Sequence, residues 1–203
     1  MRTVVALLLG AGISACGTGG GDEGARAVEG RQRAMLSEGY SLLYADATKI
    51  GSFDLVLFFK IESQEFNDLL KVISRFGDEL THDLERVARE YPGVRIDLDP
   101  LPVMETRKRL ALAKDRMIRF APLSGRSRLE YERTLLIGLA GALDHERHLC
   151  QVMAQEEPDP ALRKLLLAAQ KRYDGLYEST MNLLNREHFK ANTNTASRQP
   201  HGE

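Results

Sequence analysis

The stretch SFDLVLFFKIESQEFNDLLKVISRFGDELTHDLERVAREY, residues 52–91, decides the fold because it is long, lacks proline and repeats apolar residues at helical spacing. At 100° per residue, its apolar positions fall within about 40° of one line. The pattern predicts a helix over 53–91 that Ser52 caps and that bends at Gly77. The residues on its predicted buried line are Leu55, Phe58, Phe66, Leu69, Ile73, Phe76, Leu80, Leu84 and Val87.

The segments on either side of this stretch have the same periodicity. A helix over 31–50 is predicted to end at Gly51 and to bury Leu36, Tyr40, Leu43, Ala47 and Ile50. After the predicted stop at Tyr91, the sequence VRIDLDPLP alternates apolar and polar residues before its prolines and has no partner strand, so it is predicted to be an extended connection along the bundle. A helix over 104–120 follows, with a predicted buried face of Leu110, Ala113, Met117 and Phe120.

Two further helices have clear start signals. Ser127 and Glu130 form a capping box that opens a helix over 127–155. Asp159 and Pro160 cap a last helix over 160–188, because proline at the first helical position loses no hydrogen bond. Its predicted buried residues are Leu162, Leu166, Ala169, Tyr173, Leu176 and Leu183.

The five predicted helices define an all-α fold. Short connections favour antiparallel neighbours, so we expect an up-and-down antiparallel bundle of four long helices and a shorter one around a single core. A ferritin-like arrangement is an alternative within this class. The helical domain is predicted over 29–189, and the polar tail over 190–203 has no periodicity and is predicted to be disordered.

The N-terminus has the order of a secretion signal, with Arg2 before an apolar run over 4–9. The residues Ile13-Ser14-Ala15-Cys16 then resemble the lipobox of bacterial lipoproteins. The resemblance implies that residues 1–15 are a signal peptide and that Cys16 is lipidated, with palmitate among its acyl chains. It also implies a membrane anchor, a glycine-rich tether over 16–28 and envelope proteins as partners. Gly17, in place of the aspartate that retains enterobacterial lipoproteins in the inner membrane, favours the outer membrane facing the periplasm.

The composition argues against several kinds of binding protein. The 28 basic and 29 acidic residues are nearly balanced and mixed along the chain, so neither a nucleic-acid surface nor a polybasic membrane surface is predicted. The chain has no tryptophan and few other aromatic residues from which to build a stacking platform.

Histidines and acids at helical spacing invite a metal hypothesis. Glu79 and His82 match the Glu-x-x-His pair of ferritin-like di-iron bundles, but His82 lies about 160° from the buried line. In the helix over 127–155, His145 and His148 also point away from the apolar face. Asp144 and His148 are therefore interpreted as a surface polar cluster, which also has the spacing to hold an adventitious metal ion.

Three acids fall on predicted buried lines, namely Glu62, Glu132 and Glu146. A buried carboxylate must be paired, protonated or bound to metal. The favoured interpretation is structural pairing, with no cofactor and no tightly bound transition metal. Its alternative is a carboxylate-bound metal ion, for which Mn, Mg or Ca suits the oxygen ligands. Arginines that flank neighbouring apolar lines and are candidate partners are Arg109, Arg116 and Arg172.

Cys150 lies near the centre of its helix's apolar line and is predicted to be a buried thiol without an activating base. The sequence lacks a phosphate loop, a G-x-S-x-G turn, an H-E-x-x-H pair and a Cys-x-x-Cys pair. The mature domain resembles helical-bundle lipoproteins of undefined function. A non-enzymatic structural or protein-interaction module is favoured, and a ferritin-like periplasmic metal-binding or redox protein is the alternative. Binding of a small apolar ligand between helices is a third hypothesis.

Overall fold

A computed structural model of the chain describes residues 21–52, 63–98, 100–120 and 128–189. These residues form five α-helices and no β-strand, which confirms the all-α prediction. The predicted signal peptide, Cys16 and the tail over 190–203 lie outside the described residues. The helices are α1 (Gly21–Gly51), α2 (Gln64–Glu90), α3 (Val103–Phe120), α4 (Arg128–Glu156) and α5 (Pro160–His188).

Four of the helices pack as two antiparallel pairs. α1 packs on α2 and α4 on α5, and contacts of α1 with α4 and of α2 with α5 join the pairs around a common core. The largest fully buried side chains come from all four of these helices and include Tyr40, Phe66, Leu143 and Tyr173. Burying each apolar side chain of this kind stabilises the fold by about 1.5 to 3 kcal/mol.

The helix α2 begins later than predicted. Ser63, not Ser52, is its N-cap, because the Ser63 hydroxyl accepts a hydrogen bond from the Phe66 amide at 3.2 Å. The Ser52 hydroxyl instead donates to the Lys49 carbonyl at the end of α1. Apolar periodicity does not show where one helix ends and another begins, whereas a cap fixes a start by satisfying a free amide. Residues 53–62, with Leu55 and Phe58, lie outside the described residues.

Gly77 is a point of close contact between helices. α2 is helical throughout this region, and a Cβ atom at Gly77 would lie 2.8 Å from the Ala47 carbonyl oxygen and 2.9 Å from the Gly51 Cα. The Ser74 hydroxyl donates to the Gly51 carbonyl beside this contact. The sequence predicted a bend at Gly77, but the structure shows that the missing side chain lets α1 and α2 approach each other.

The helix α1 begins at Gly21, ten residues earlier than predicted, so residues 21–28 of the predicted tether are helical. Its predicted buried face is confirmed, since Leu36, Tyr40, Leu43, Ala47 and Ile50 are all buried.

The connection from α2 to α3 is held along α1 by two serines one turn apart. The Ser37 hydroxyl accepts from the Arg95 amide at 3.3 Å and donates to the Gly93 carbonyl. The Ser41 hydroxyl accepts from the Asp97 amide at 2.8 Å. These bonds satisfy backbone groups that a lone extended segment leaves unpaired, and they confirm the predicted extended connection.

The α4–α5 hairpin agrees closely with the prediction. The Asp159 carboxylate accepts from the amides of Ala161 and Leu162, and Pro160 is the first residue of α5. All six residues of the predicted buried face of α5 are buried. α4 begins at Arg128, one residue after the predicted cap, which itself lies outside the described residues.

The prediction for α3 is wrong in one respect. Its bounds agree with the sequence, but Leu110, which was predicted to be buried, is 71% exposed. The side chains of Ala113, Met117 and Phe120 are outside the described set. Among the described residues, α3 is not one of the helices that pack extensively on one another.

Candidate functional site

The most unusual group in the core is a pair of carboxyls. Glu146 of α4 is 6% exposed and hydrogen-bonds with Asp46 of α1. Burial raises the pKa of Glu146 to about 8, helped by the charge of Asp46 and opposed by Arg109 and Lys49. Burial therefore favours the protonated form of Glu146 at neutral pH, and a protonated Glu146 is able to donate to the Asp46 carboxylate. The inward orientation predicted for Glu146 is confirmed.

Asp46 connects this pair to α3. The Asp46 Oδ1 atom lies 2.9 Å from the Lys49 ammonium and 3.0 Å from the Arg109 Nη1 atom. Arg109 also donates to Glu105 one turn earlier in α3, at 3.1 Å. Arg109 was predicted to pair with one of the three buried-line acids, but its ion pair to the core is with Asp46, which is only partly buried. Asp46 was not predicted, because it lies at the edge of the α1 apolar line rather than on it.

Arg172, another of the predicted arginine partners, makes a different contact. The Arg172 guanidinium lies over the ring of Phe76, at 5.6 Å from the ring centroid. It contributes a cation–π contact there. The side chain of Arg116 is outside the described set.

Two further polar side chains lie near the carboxyl pair. Tyr173 is fully buried, and Phe76 packs edge-on against it with ring centroids 4.8 Å apart. Within the described residues, the Tyr173 hydroxyl and the Glu146 Oε2 atom make no hydrogen bond. Burial raises the pKa of Cys150 to about 12, and the charge of Glu146 adds to the effect. The thiol therefore stays protonated and is a poor nucleophile, as its position predicted.

Glu132 lies at a different level of α4. It is buried, and its Oε1 atom accepts a hydrogen bond from the backbone amide of Ser63 at 3.1 Å. That amide belongs to the N-cap residue of α2, where the helix dipole favours a negative charge. The carboxylate is satisfied by a helix start rather than by an arginine. Glu132 and Glu146 are 14 residues and about 21 Å apart along α4, so they do not form one site.

Glu157, between α4 and α5, is a buried acid that the sequence did not reveal. One of its oxygens accepts from the Tyr40 hydroxyl at 2.9 Å. The other accepts from the Asp159 amide at 3.1 Å and lies 3.5 Å from Arg33. Glu157 lies in the sequence QEEPDP, directly after the last residue of α4, so no periodic pattern marks it. The hydrogen-bonded residues come from α1 and from the α4–α5 turn, which only the folded chain brings together.

The histidines take the predicted outward positions. His82, His145 and His148 are exposed, and His82 is 3.6 Å from Glu85. The His148 Nδ1 atom lies 2.7 Å from the Asp144 carbonyl oxygen, while Asp144 is paired with an arginine at 2.7 Å. The cluster of Asp144 and His148 is therefore a surface cluster, as predicted.

No group of three or more His, Cys, Asp or Glu side chains in the described ranges is arranged to hold a metal ion. Glu62, the remaining acid predicted on a buried line, lies outside those ranges. None of the helices in the described part of the chain has the length and apolar character needed to span a membrane.

Comparison of the chain with protein-family models, curated proteins and solved structures finds no match.

Proposed function

We propose that this chain is a lipid-anchored bacterial envelope protein whose helical domain is a non-enzymatic structural or protein-interaction module. Cys16 carries the anchor, and the domain faces the periplasm from the outer membrane. The sequence Ile13-Ser14-Ala15-Cys16, placed after a basic residue and an apolar run, supports the anchor. The four packed helices are proposed to form an up-and-down bundle, which agrees with their pairwise contacts.

The proposal of a non-enzymatic function rests on the partners of the buried carboxylates. Glu132 joins α4 to the start of α2, and Glu157 joins the α4–α5 turn to α1. Asp46 joins α1 to α3, and Glu146 is bonded to Asp46. A reaction or metal site needs polar groups that converge on one point. Here the acids are spread over the fold, and each connects separate elements.

A groove between α2 and α5 supports the interaction part of the proposal. It has a volume of about 480 Å³ and an apolar floor that includes Leu80, Leu165 and Ala168. Its α2 rim is acidic and its α5 rim is basic, with Glu79 and Asp83 facing Lys164 and Arg172. The partner that fits this charge pattern is an amphipathic helix of an envelope protein, with bases along one edge of its apolar line and acids along the other.

Two experiments test this function. Labelled palmitate should be incorporated by the parent chain in a Gram-negative host but not by the Cys16→Ser variant. Labelling of that variant would contradict the proposal that Cys16 carries the anchor. In pull-downs from envelopes, charge reversal at Lys164 and Arg172 should release the captured protein. Lys171→Glu makes the same kind of change on α5 outside the groove and should retain capture. Equal capture by all three chains would exclude the groove.

The alternative is a ferritin-like periplasmic metal-binding or redox protein. One observation favours it: two carboxyls, Asp46 and Glu146, are adjacent in the core, and one Glu146 oxygen has no hydrogen bond among the described residues. Such a site would take Mn, Mg or Ca. Elemental analysis of the pull-down preparation decides. Well under one equivalent of metal supports the structural role, whereas a stoichiometric metal that is lost in Glu146→Gln supports the alternative.

A further inference from the structure

The outward face of α3 combines exposed apolar residues with bases. Val103, Arg107, Leu110 and Lys114 are spaced by four, three and four residues, so they lie within about 60° of one another around the helix. All four are exposed, including 67% of Val103 and 71% of Leu110. Arg107 and Lys114 make no ion pair within the described part of the chain. Met104, 72% exposed, extends this face at one side.

The opposite face of α3 is the side that meets the rest of the protein. Glu105 and Arg109 are the only described side chains of α3 that are partly buried, and Arg109 forms the ion pair with Asp46. A small rotation of α3 about its axis would therefore not bring the exposed apolar line into contact with the core. The ion pair of Arg109 with Asp46 lies on the side of α3 that faces the core, opposite this line.

The charge of α3 differs from that of the whole chain. The chain has a formal net charge of −1, whereas α3 has six basic and two acidic residues, a net charge of +4. The outward line itself contains two bases and no acid. A helix with apolar and basic residues on its free surface has the composition of helices that lie in the interface of an anionic bilayer. The apolar residues enter the headgroup boundary, and the bases contact lipid phosphates.

We propose that α3 binds an anionic lipid surface through the face formed by Val103, Met104, Arg107, Leu110 and Lys114. This inference goes beyond the proposed function, and it does not require Cys16 to be acylated. A lipid anchor would hold α3 near a bilayer, and the face of α3 would then orient the domain on that bilayer. The groove between α2 and α5 is a separate surface formed by other helices.

The absence of tryptophan makes a local test available. In the full chain carrying Cys16→Ser, Leu110→Trp places a single indole on the proposed lipid face. Its emission should shift to the blue with vesicles of phosphatidylglycerol and phosphatidylcholine, and added salt should reverse the shift. Vesicles of phosphatidylcholine alone should give little shift. Ile137→Trp, at a 51% exposed apolar position of α4, is the matched control and should not shift.

A second pair of variants tests the bases. Adding Arg107→Gln and Lys114→Gln to the Leu110→Trp chain should weaken vesicle binding by roughly 30-fold, since each base near an anionic surface contributes about 1 kcal/mol. Arg133→Gln with Lys171→Gln removes two exposed bases elsewhere and should leave the affinity unchanged.

Three results would overturn the proposal. The first is no shift of the residue-110 indole with either kind of vesicle, which would leave the face to a protein partner. The second is an equal shift with neutral vesicles, which would show that anionic headgroups are not recognised. The third is an equal shift at position 137. Because each indole reports its own surroundings, membrane contact made by the N-terminus does not imitate the expected pattern, and circular dichroism verifies that each variant is folded.

Discussion

The protonated Glu146 leads to a specific expectation for how stability changes with pH. Its pKa is about 8 in the folded protein and 4.5 without the environment of the fold. Between these values the folded chain keeps the proton and the unfolded chain releases it, so rising pH favours unfolding. Each pKa unit corresponds to about 1.4 kcal/mol. This group should therefore lower the free energy of unfolding by up to roughly 4 kcal/mol between about pH 5 and pH 8.

Glu146→Gln should remove that dependence. The amide has nearly the same shape, carries no charge at any of these pH values and can still donate to Asp46. At about pH 5 the variant should match the parent within about 1 kcal/mol. At about pH 8 it should be more stable by up to roughly 4 kcal/mol, because it no longer resists ionisation in the core.

Urea unfolding followed by far-ultraviolet circular dichroism across this pH range measures both chains. The quantity to compare is the difference between the unfolding free energies of the two chains. If the two chains show the same dependence of unfolding free energy on urea concentration, one common slope is used for both. Glu178→Gln, an exposed carboxyl of α5, controls for the loss of one carboxyl from the surface. Parallel pH profiles for the parent and Glu146→Gln would refute the reasoning, since they would show that Glu146 has the same proton affinity in both states.

Three other measurements test parts of the fold. Gly77→Ala should lower the free energy of unfolding by about 1 to 3 kcal/mol, because its Cβ would meet the Ala47 carbonyl. Gly175→Ala is the control and should not destabilise the fold, because a Cβ there has nothing within 4 Å. Equal effects of the two substitutions would contradict the close contact at Gly77. In a chain carrying Cys16→Ser, Cys150 should resist a disulfide reagent in the native state and react in denaturant, and rapid native reaction would disprove its burial. Asp159→Ala should cost about 1 kcal/mol in urea unfolding by removing the α5 cap, and an unchanged midpoint would count against that cap.

The sequence predicted the fold best where the signals are local. α5 has its bounds as predicted because the Asp159 cap, Pro160 and a regular apolar line all agree. The start of α2 was predicted at the wrong residue. The apolar pattern continues across the segment before Ser63, so it does not reveal that Ser63 is an N-cap. Local patterns also cannot say whether an apolar line finds a partner, which is why Leu110 was predicted to be buried.

The candidate site shows the same division. Periodicity placed Glu146 and Cys150 inside, and the structure confirms both. The partner of Glu146 was not predictable, because Asp46 is about 100 residues away and lies at the edge of its own apolar line. Glu157 gave no signal at all, since it follows a helix in a polar run and becomes buried only when α1 packs over the turn. These residues depend on tertiary packing rather than on spacing.

The distribution of charge in the chain also depends on the fold rather than on the overall composition. A nearly neutral total led to the expectation that no membrane surface is recognised by bases, yet the six basic residues of α3 lie within 18 consecutive residues. A bilayer interacts with local charge, since screening limits its reach to about 8 to 10 Å at physiological salt. Acids on the other helices therefore do not cancel the outward bases of α3. Asp46 holds Arg109 on the inner side, so the same ion pair that joins α3 to the core leaves Arg107 and Lys114 directed away from it.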